Sequence, residues 1–130
     1  MFESALKELI PKKVQTFAKL KSGELYHFDR WDVDKTGSSC LYYWFLGQDG
    51  MKKYVKRVLI SEIRDALNHL ICHGRLSRKE YKKVCPKTES AGSCGFAIVG
   101  RILEAMNVAE YSVYGKFKLT DIENAKRKFN

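Results

Sequence analysis

Acidic residues are the scarce class in this chain, with 15 Asp and Glu against 24 Lys and Arg and a net charge of +9 at pH 7. A surplus of that sign raises the encounter rate with polyanions, whether nucleic acid, an anionic membrane surface or an acidic protein. No apolar run approaches the roughly 18 residues of a membrane span. Glu3 and Glu8 interrupt the stretch that a secretory leader would keep apolar. The expectation is a cytoplasmic protein with no membrane partner. Cysteine is sparse too: Cys40, Cys72, Cys85 and Cys94 form no C-x-x-C pair, which favours free thiols over a disulfide framework. Internal repeats, low-complexity segments, a phosphate-cradling glycine loop and telling pairs of carboxylates are all missing.

What is present is the balance of an ordinary folded domain, 45% hydrophobic and 30% charged. At 130 residues the chain fits one domain, residues 1–130, able to bury roughly two-thirds of its unfolded surface without a metal or disulfide. The texture changes near Ser61, so residues 1–60 and 61–130 form two sub-structures. Phe2, Leu6, Leu9 and Ile10 give a short amphipathic helix that Pro11 stops. Turn signals at residues 21–23, 34–37 and 47–50 separate β-rich runs at 14–20, 24–33, 39–46 and 51–60, which read as a four-stranded antiparallel meander. Ser61 reads as an N-cap, with Glu62 and Asp65 at the positive helix end. Ile60, Ile63, Leu67, Leu70 and Ile71 continue that helix to His73, and Gly74 closes it. Ser77-Arg78-Lys79-Glu80 is a capping box opening a short helix that Pro86 ends. A loop over 87–92 then leads to an apolar helix over about 94–107. Extended segments at 108–111 and 113–119 bracket Tyr114-Gly115. Thr120-Asp121-Ile122-Glu123 is a second capping box before a basic terminal helix. The fold class expected is α+β, with an N-terminal helix, a four-stranded meander and a C-terminal trihelical segment carrying a short β-pair.

That C-terminal order, with Ser77-Arg78-Lys79-Glu80-Tyr81 and Arg101-Ile102-Leu103-Glu104-Ala105-Met106, resembles the winged helix-turn-helix family over about 60 residues. The resemblance implies DNA binding, with the third helix in the major groove and the hairpin against the backbone or minor groove. Two features depart from the pattern. The connection over 85–93 exceeds the usual three or four residues, and the third helix is apolar nearly all round. Ser93, Ala97, Gly100, Arg101 and Glu104 share one small or polar face, which suits close packing of another helix or approach of a phosphate backbone.

Arg75, Arg78, Lys79, Lys82, Lys83 and Lys87 crowd a 13-residue stretch that contains one acid, Glu80. Like charges at i, i+3 and i+4 repel by a few tenths of a kcal/mol each unless an anion neutralises them. With Arg101 within reach and Lys116 and Lys118 in the hairpin, they form the candidate phosphate-binding set. A solvated helix face is the plainer reading of the same residues. A second candidate surface lies in the β half, where alternation sends Tyr42 and Trp44 to one side and Tyr43 and Phe45 to the other. Tyr42, Trp44 and Tyr54, beside Lys52, Lys53, Lys56 and Arg57, would stack bases or clasp an acidic protein if exposed. Helices covering both faces would forbid it, and that covering is the favoured expectation. Self-association as a homodimer through the aromatic sheet is the alternative to nucleic acid.

Two further chemistries would draw on the histidines and cysteines. His69, Cys72, Cys85 and Cys94 are the right types for structural zinc, but their spacing matches no compact signature, and neither metal nor cofactor is expected. Cys94, at a helix start in Gly92-Ser93-Cys94-Gly95, is placed like the nucleophile of papain-like hydrolases. In those enzymes the partner histidine follows the cysteine. Here His27, His69 and His73 all precede it, so a structural thiol is the expectation.

Overall fold

Proline and glycine set the first boundaries in the computed structural model, which describes residues 1–112 and 114–130. Helix α1 (Phe2–Leu9) ends before Pro11 and buries Phe2 and Leu6. Strands β1 (Thr16–Ala18), β2 (Leu25–Val33), β3 (Ser39–Leu46) and β4 (Lys53–Leu59) follow as an antiparallel meander in sequence order. Its Gly23, Gly37 and Gly50 sit in the turns at positive φ. Strict alternation fails once, at a register shift between Phe28 and Arg30. The bulge returns Trp31 to the side of Phe28, and its indole nitrogen donates to the Ile10 carbonyl at 3.1 Å.

The chain passes from β4 straight into α2 (Ile60–His73), so Leu59 holds the N-cap position and Ser61 lies inside the first turn. The expected Ser61 cap is corrected by this direct strand-to-helix passage. Gly74, at φ 77°, ends α2 as expected. Strand β5 (Arg75–Ser77) was not foreseen, because three residues carry no measurable period. The capping box then opens α3 (Arg78–Val84). Pro86 does end α3, but it also occupies the first turn of α4 (Pro86–Ser90), where its missing N–H costs nothing, so the expected loop is partly helical. Helix α5 (Gly95–Ala105), strands β6 (Ala109–Ser112) and β7 (Lys116–Leu119), and α6 (Ile122–Phe129) complete the chain. Val113, expected in the second hairpin strand, lies outside the described residues. Asp121, not Thr120, caps α6, accepting from the Asn124 amide at 3.0 Å.

The architecture is therefore α+β with two antiparallel sheets, β1-β2-β3-β4 and β5-β7-β6; the expected β-pair gains a third strand. One hydrophobic cluster runs through both halves, from Phe2 to Ala125. Helix α5 packs on β1 and β4 of the first sheet and on β6 of the second. That placement explains why it is apolar nearly all round. Gly100 supplies the closest approach: a Cβ there would lie 1.9 Å from the Phe117 ring. No helix among the described residues is long and apolar enough to cross a membrane.

Candidate nucleic-acid interface

Local chemistry fixes the start of α3. The Ser77 hydroxyl accepts from the Glu80 amide at 3.2 Å, and Glu80 Oε1 accepts from the Ser77 amide at 3.0 Å. Glu80 Oε2 also meets His69 Nε2 at 3.0 Å, and Arg75 Nε lies 3.7 Å from the other oxygen. Partial burial opposes the charge on Glu80. The bonds from His69 and Ser77, with Arg75 nearby, outweigh it and hold the carboxyl at about 2. Arg75 is thereby partly neutralised.

The remaining cations of this stretch have no such partner. Lys79, Lys82 and Lys83 are exposed on α3, and Lys87 is exposed on α4. The buried Glu62 carboxylate accepts from the Lys87 and Thr88 amides at 3.1 and 2.6 Å, capping α4 from another element. In the second sheet, Ser77 stands opposite Lys116 and Arg75 opposite Lys118. Residues paired in this way share a face, so Arg75, Lys116 and Lys118 lie on the side opposite the buried Leu76 and Phe117. Ser77 is both the partner of Lys116 and the cap of α3, so β7 runs beside the start of that helix. The cations of this set other than Arg75 are thus carried on three elements, β7, α3 and α4. Among the described residues, none of Arg78, Lys79, Lys82, Lys83, Lys87, Lys116 and Lys118 has a carboxylate oxygen within 4 Å, whereas Lys7, Lys12, Lys19, Arg30 and Arg57 are each paired. Glu110 stands opposite Lys118 across the β6–β7 pair.

Arg101 stands apart from that set. Its Nε donates to the Ala18 carbonyl at 3.0 Å and Nη1 to Glu104 at 2.7 Å. Glu104 in turn accepts from the Tyr111 amide at 2.9 Å. The polar ridge of α5 therefore ties β1 to β6. Gly100, on the same ridge, receives the Phe117 ring. The ridge is filled by the protein itself, and Arg101 is engaged there by Ala18 and Glu104.

The meander gives a different outcome from the expected double covering. Tyr43 and Leu41 face the core, while Tyr42 and Trp44 face solvent beside Leu25, Leu46 and Val55, which stay 44%, 45% and 47% exposed. Tyr54 stands on the other side, with Phe45 stacked on it at 5.5 Å, so it does not join Tyr42 and Trp44. Trp44 carries the His27 ring at 4.2 Å toward β2 and Lys53 Nζ at 4.7 Å toward β4. Arg30 lies 4.2 Å over Tyr42. Neighbouring side chains thus already occupy the ring faces that a base would stack on.

The histidines and cysteines do not converge. His69 meets Glu80 and His73, Cys72 meets Asn68, and the buried Cys85 donates to the Glu62 carbonyl at 3.3 Å. Cys94 faces Tyr26, whose hydroxyl is raised well above its ordinary pKa, first by burial and then by that thiol. No histidine among the described residues bonds to it. Sequence reasoning missed Lys21 and Lys56. Lys21 lies beside Arg78 and Cys94 in one cleft, and a Cβ on Gly92 would meet Lys56 Nζ. Neither lysine has a spacing signal, since the fold brings them to residues far along the chain. The chain matches no family model, and comparison with curated proteins and with solved structures finds no similar one.

Proposed function

We propose that this protein binds nucleic acid, DNA in the first instance, by holding phosphates along the band formed by Arg78, Lys79, Lys82, Lys83, Lys87, Lys116 and Lys118. One observation carries the reading: seven cations on β7, α3 and α4 have no carboxylate oxygen within 4 Å among the described residues, and strand pairing sets Lys116 opposite the residue that caps α3. Unneutralised positive charge on adjoining elements is the electrostatic footprint of a polyanion site. The order α2, α3, α5, then the β6–β7 hairpin, supports the winged helix-turn-helix resemblance. The mode of contact differs from what that resemblance implies, because β1 lies over the polar ridge of α5. Contacts from α3 and β7 to phosphate give affinity and orientation without base readout.

The test is binding to a duplex with 5′-hydroxyl ends as salt is raised. Five engaged cations give a log–log slope of about −4 to −5. Replacing Lys82 and Lys83 with Gln reduces its magnitude by about 2 and weakens all sequences alike. A slope near zero, or strong preference for one sequence, would overturn the reading.

A second reading, protein contact, rests on the open sheet face. Its half-exposed Leu25, Leu46 and Val55, with rings already capped by neighbours, suit another protein surface better than bases.

A further inference from the structure

A cleft of about 320 Å³ opens where the turn after β1 meets the loop before α5, a size at the lower end of ordinary small-ligand pockets. Lys21 and Arg78 supply its charge, and no carboxylate lines it. Tyr111 gives it a partly exposed ring, the buried Tyr26 and Phe96 also line it, and Cys94 borders it. Arg78 is already set in place: Nη1 donates to the Ser93 carbonyl at 3.0 Å, and the guanidinium lies 4.9 Å from the Phe96 ring centroid. The remaining N–H donors are thereby oriented before any ligand arrives, which lowers the ordering cost of binding. A larger cavity of about 570 Å³ beside β2 lacks this character, because its lysine, Lys19, is paired with Glu24 at 3.1 Å.

We infer that this cleft binds a nucleoside monophosphate group, with the phosphate between Lys21 and Arg78 and the planar ring against Tyr111. A guanidinium fork and an ammonium fit a tetrahedral oxyanion, and a tyrosine ring suits the flat face of any base. A free mononucleotide and the terminal nucleotide of a strand both present this chemistry. The inference deepens the nucleic-acid reading by adding a site for one nucleotide beside the phosphate band.

Cys94 reports occupancy. In the full chain carrying Cys72→Ser, Cys94 is the partly exposed thiol, since Cys40 and Cys85 are buried. Its alkylation by iodoacetamide is followed with AMP, adenosine, and a short oligothymidylate bearing either a 5′-phosphate or a 5′-hydroxyl. Calorimetric titration with AMP makes the same comparison without relying on thiol reactivity. AMP slows alkylation and adenosine does not. Lys21→Gln, a change in an exposed turn, and Arg78→Gln each weaken AMP binding at least about tenfold, as loss of one charge-assisted bond implies. Protection by the 5′-phosphorylated strand at lower concentration than AMP identifies a strand end as the source; protection by AMP alone identifies the free nucleotide. Equal effects of AMP and adenosine, no binding of either AMP or the phosphorylated strand, or AMP affinity unchanged in both variants would overturn the inference. The duplex salt slope is read without a terminal phosphate, so either result can fail while the other holds.

Discussion

Gly100 has no room for a methyl group, because the Phe117 ring occupies the place a Cβ would take. That ring is itself fixed between Phe96 at 5.3 Å and Tyr111 at 5.0 Å, so it cannot swing aside. Gly100→Ala gains about 1 kcal/mol of helix propensity and loses about 3 kcal/mol to overpacking. A net loss of about 2 kcal/mol is expected in denaturant unfolding. Phe117→Leu in the same chain should recover part of it, which a double-mutant cycle would register as coupling. The small-residue face of α5 was visible in the sequence as Ala97, Gly100 and their neighbours. What fills it was not, because the sequence carries no sign that an aromatic from a later strand enters there.

At the scale of elements, the β5–α3 junction is held by Glu80, whose carboxyl is kept at about 2. The sign follows from the direction of that shift. A depressed folded pKa means stability that is complete above the ordinary value of 4.5 and is lost as pH falls toward about 2. Acid unfolding of the native chain should therefore steepen across that window, and Glu80→Gln should flatten it while lowering stability at neutral pH. The Ser77–Glu80 box was legible because capping chemistry is local, lying within four consecutive residues. Gly74 and the turn glycines were legible for the same reason. Ser61 misled, since a good capping residue two positions too late competes with a strand that runs on without a break. Glu62 misled as well: it looked like a helix-dipole residue, and it caps α4 by a contact 25 positions away. Short elements such as β5 and α4 lack the length over which periodicity can be read.

Across the whole molecule, the surplus of positive charge was plain in the composition, but its distribution was not. Pairing neutralises Lys7, Lys12, Lys19, Arg30 and Arg57 in the first half, while the cations of α3, α4 and β7 keep no carboxylate partner within 4 Å among the described residues. The meander presents an open face with half-exposed Leu25, Leu46 and Val55. If that face joins two copies, sedimentation at rising protein concentration will show a monomer–dimer equilibrium that Val55→Lys abolishes, while the salt slope for duplex binding stays unchanged. A monomer at all concentrations would leave the face without a self-association role.

The β1 strand laid along α5 has a consequence for information transfer. A helix sealed on its polar ridge by its own chain cannot inspect the floor of a groove. Under the proposed phosphate-holding function, discrimination would come from the shape, charge density and termini of the polymer, with many sequences gripped at nearly equal strength.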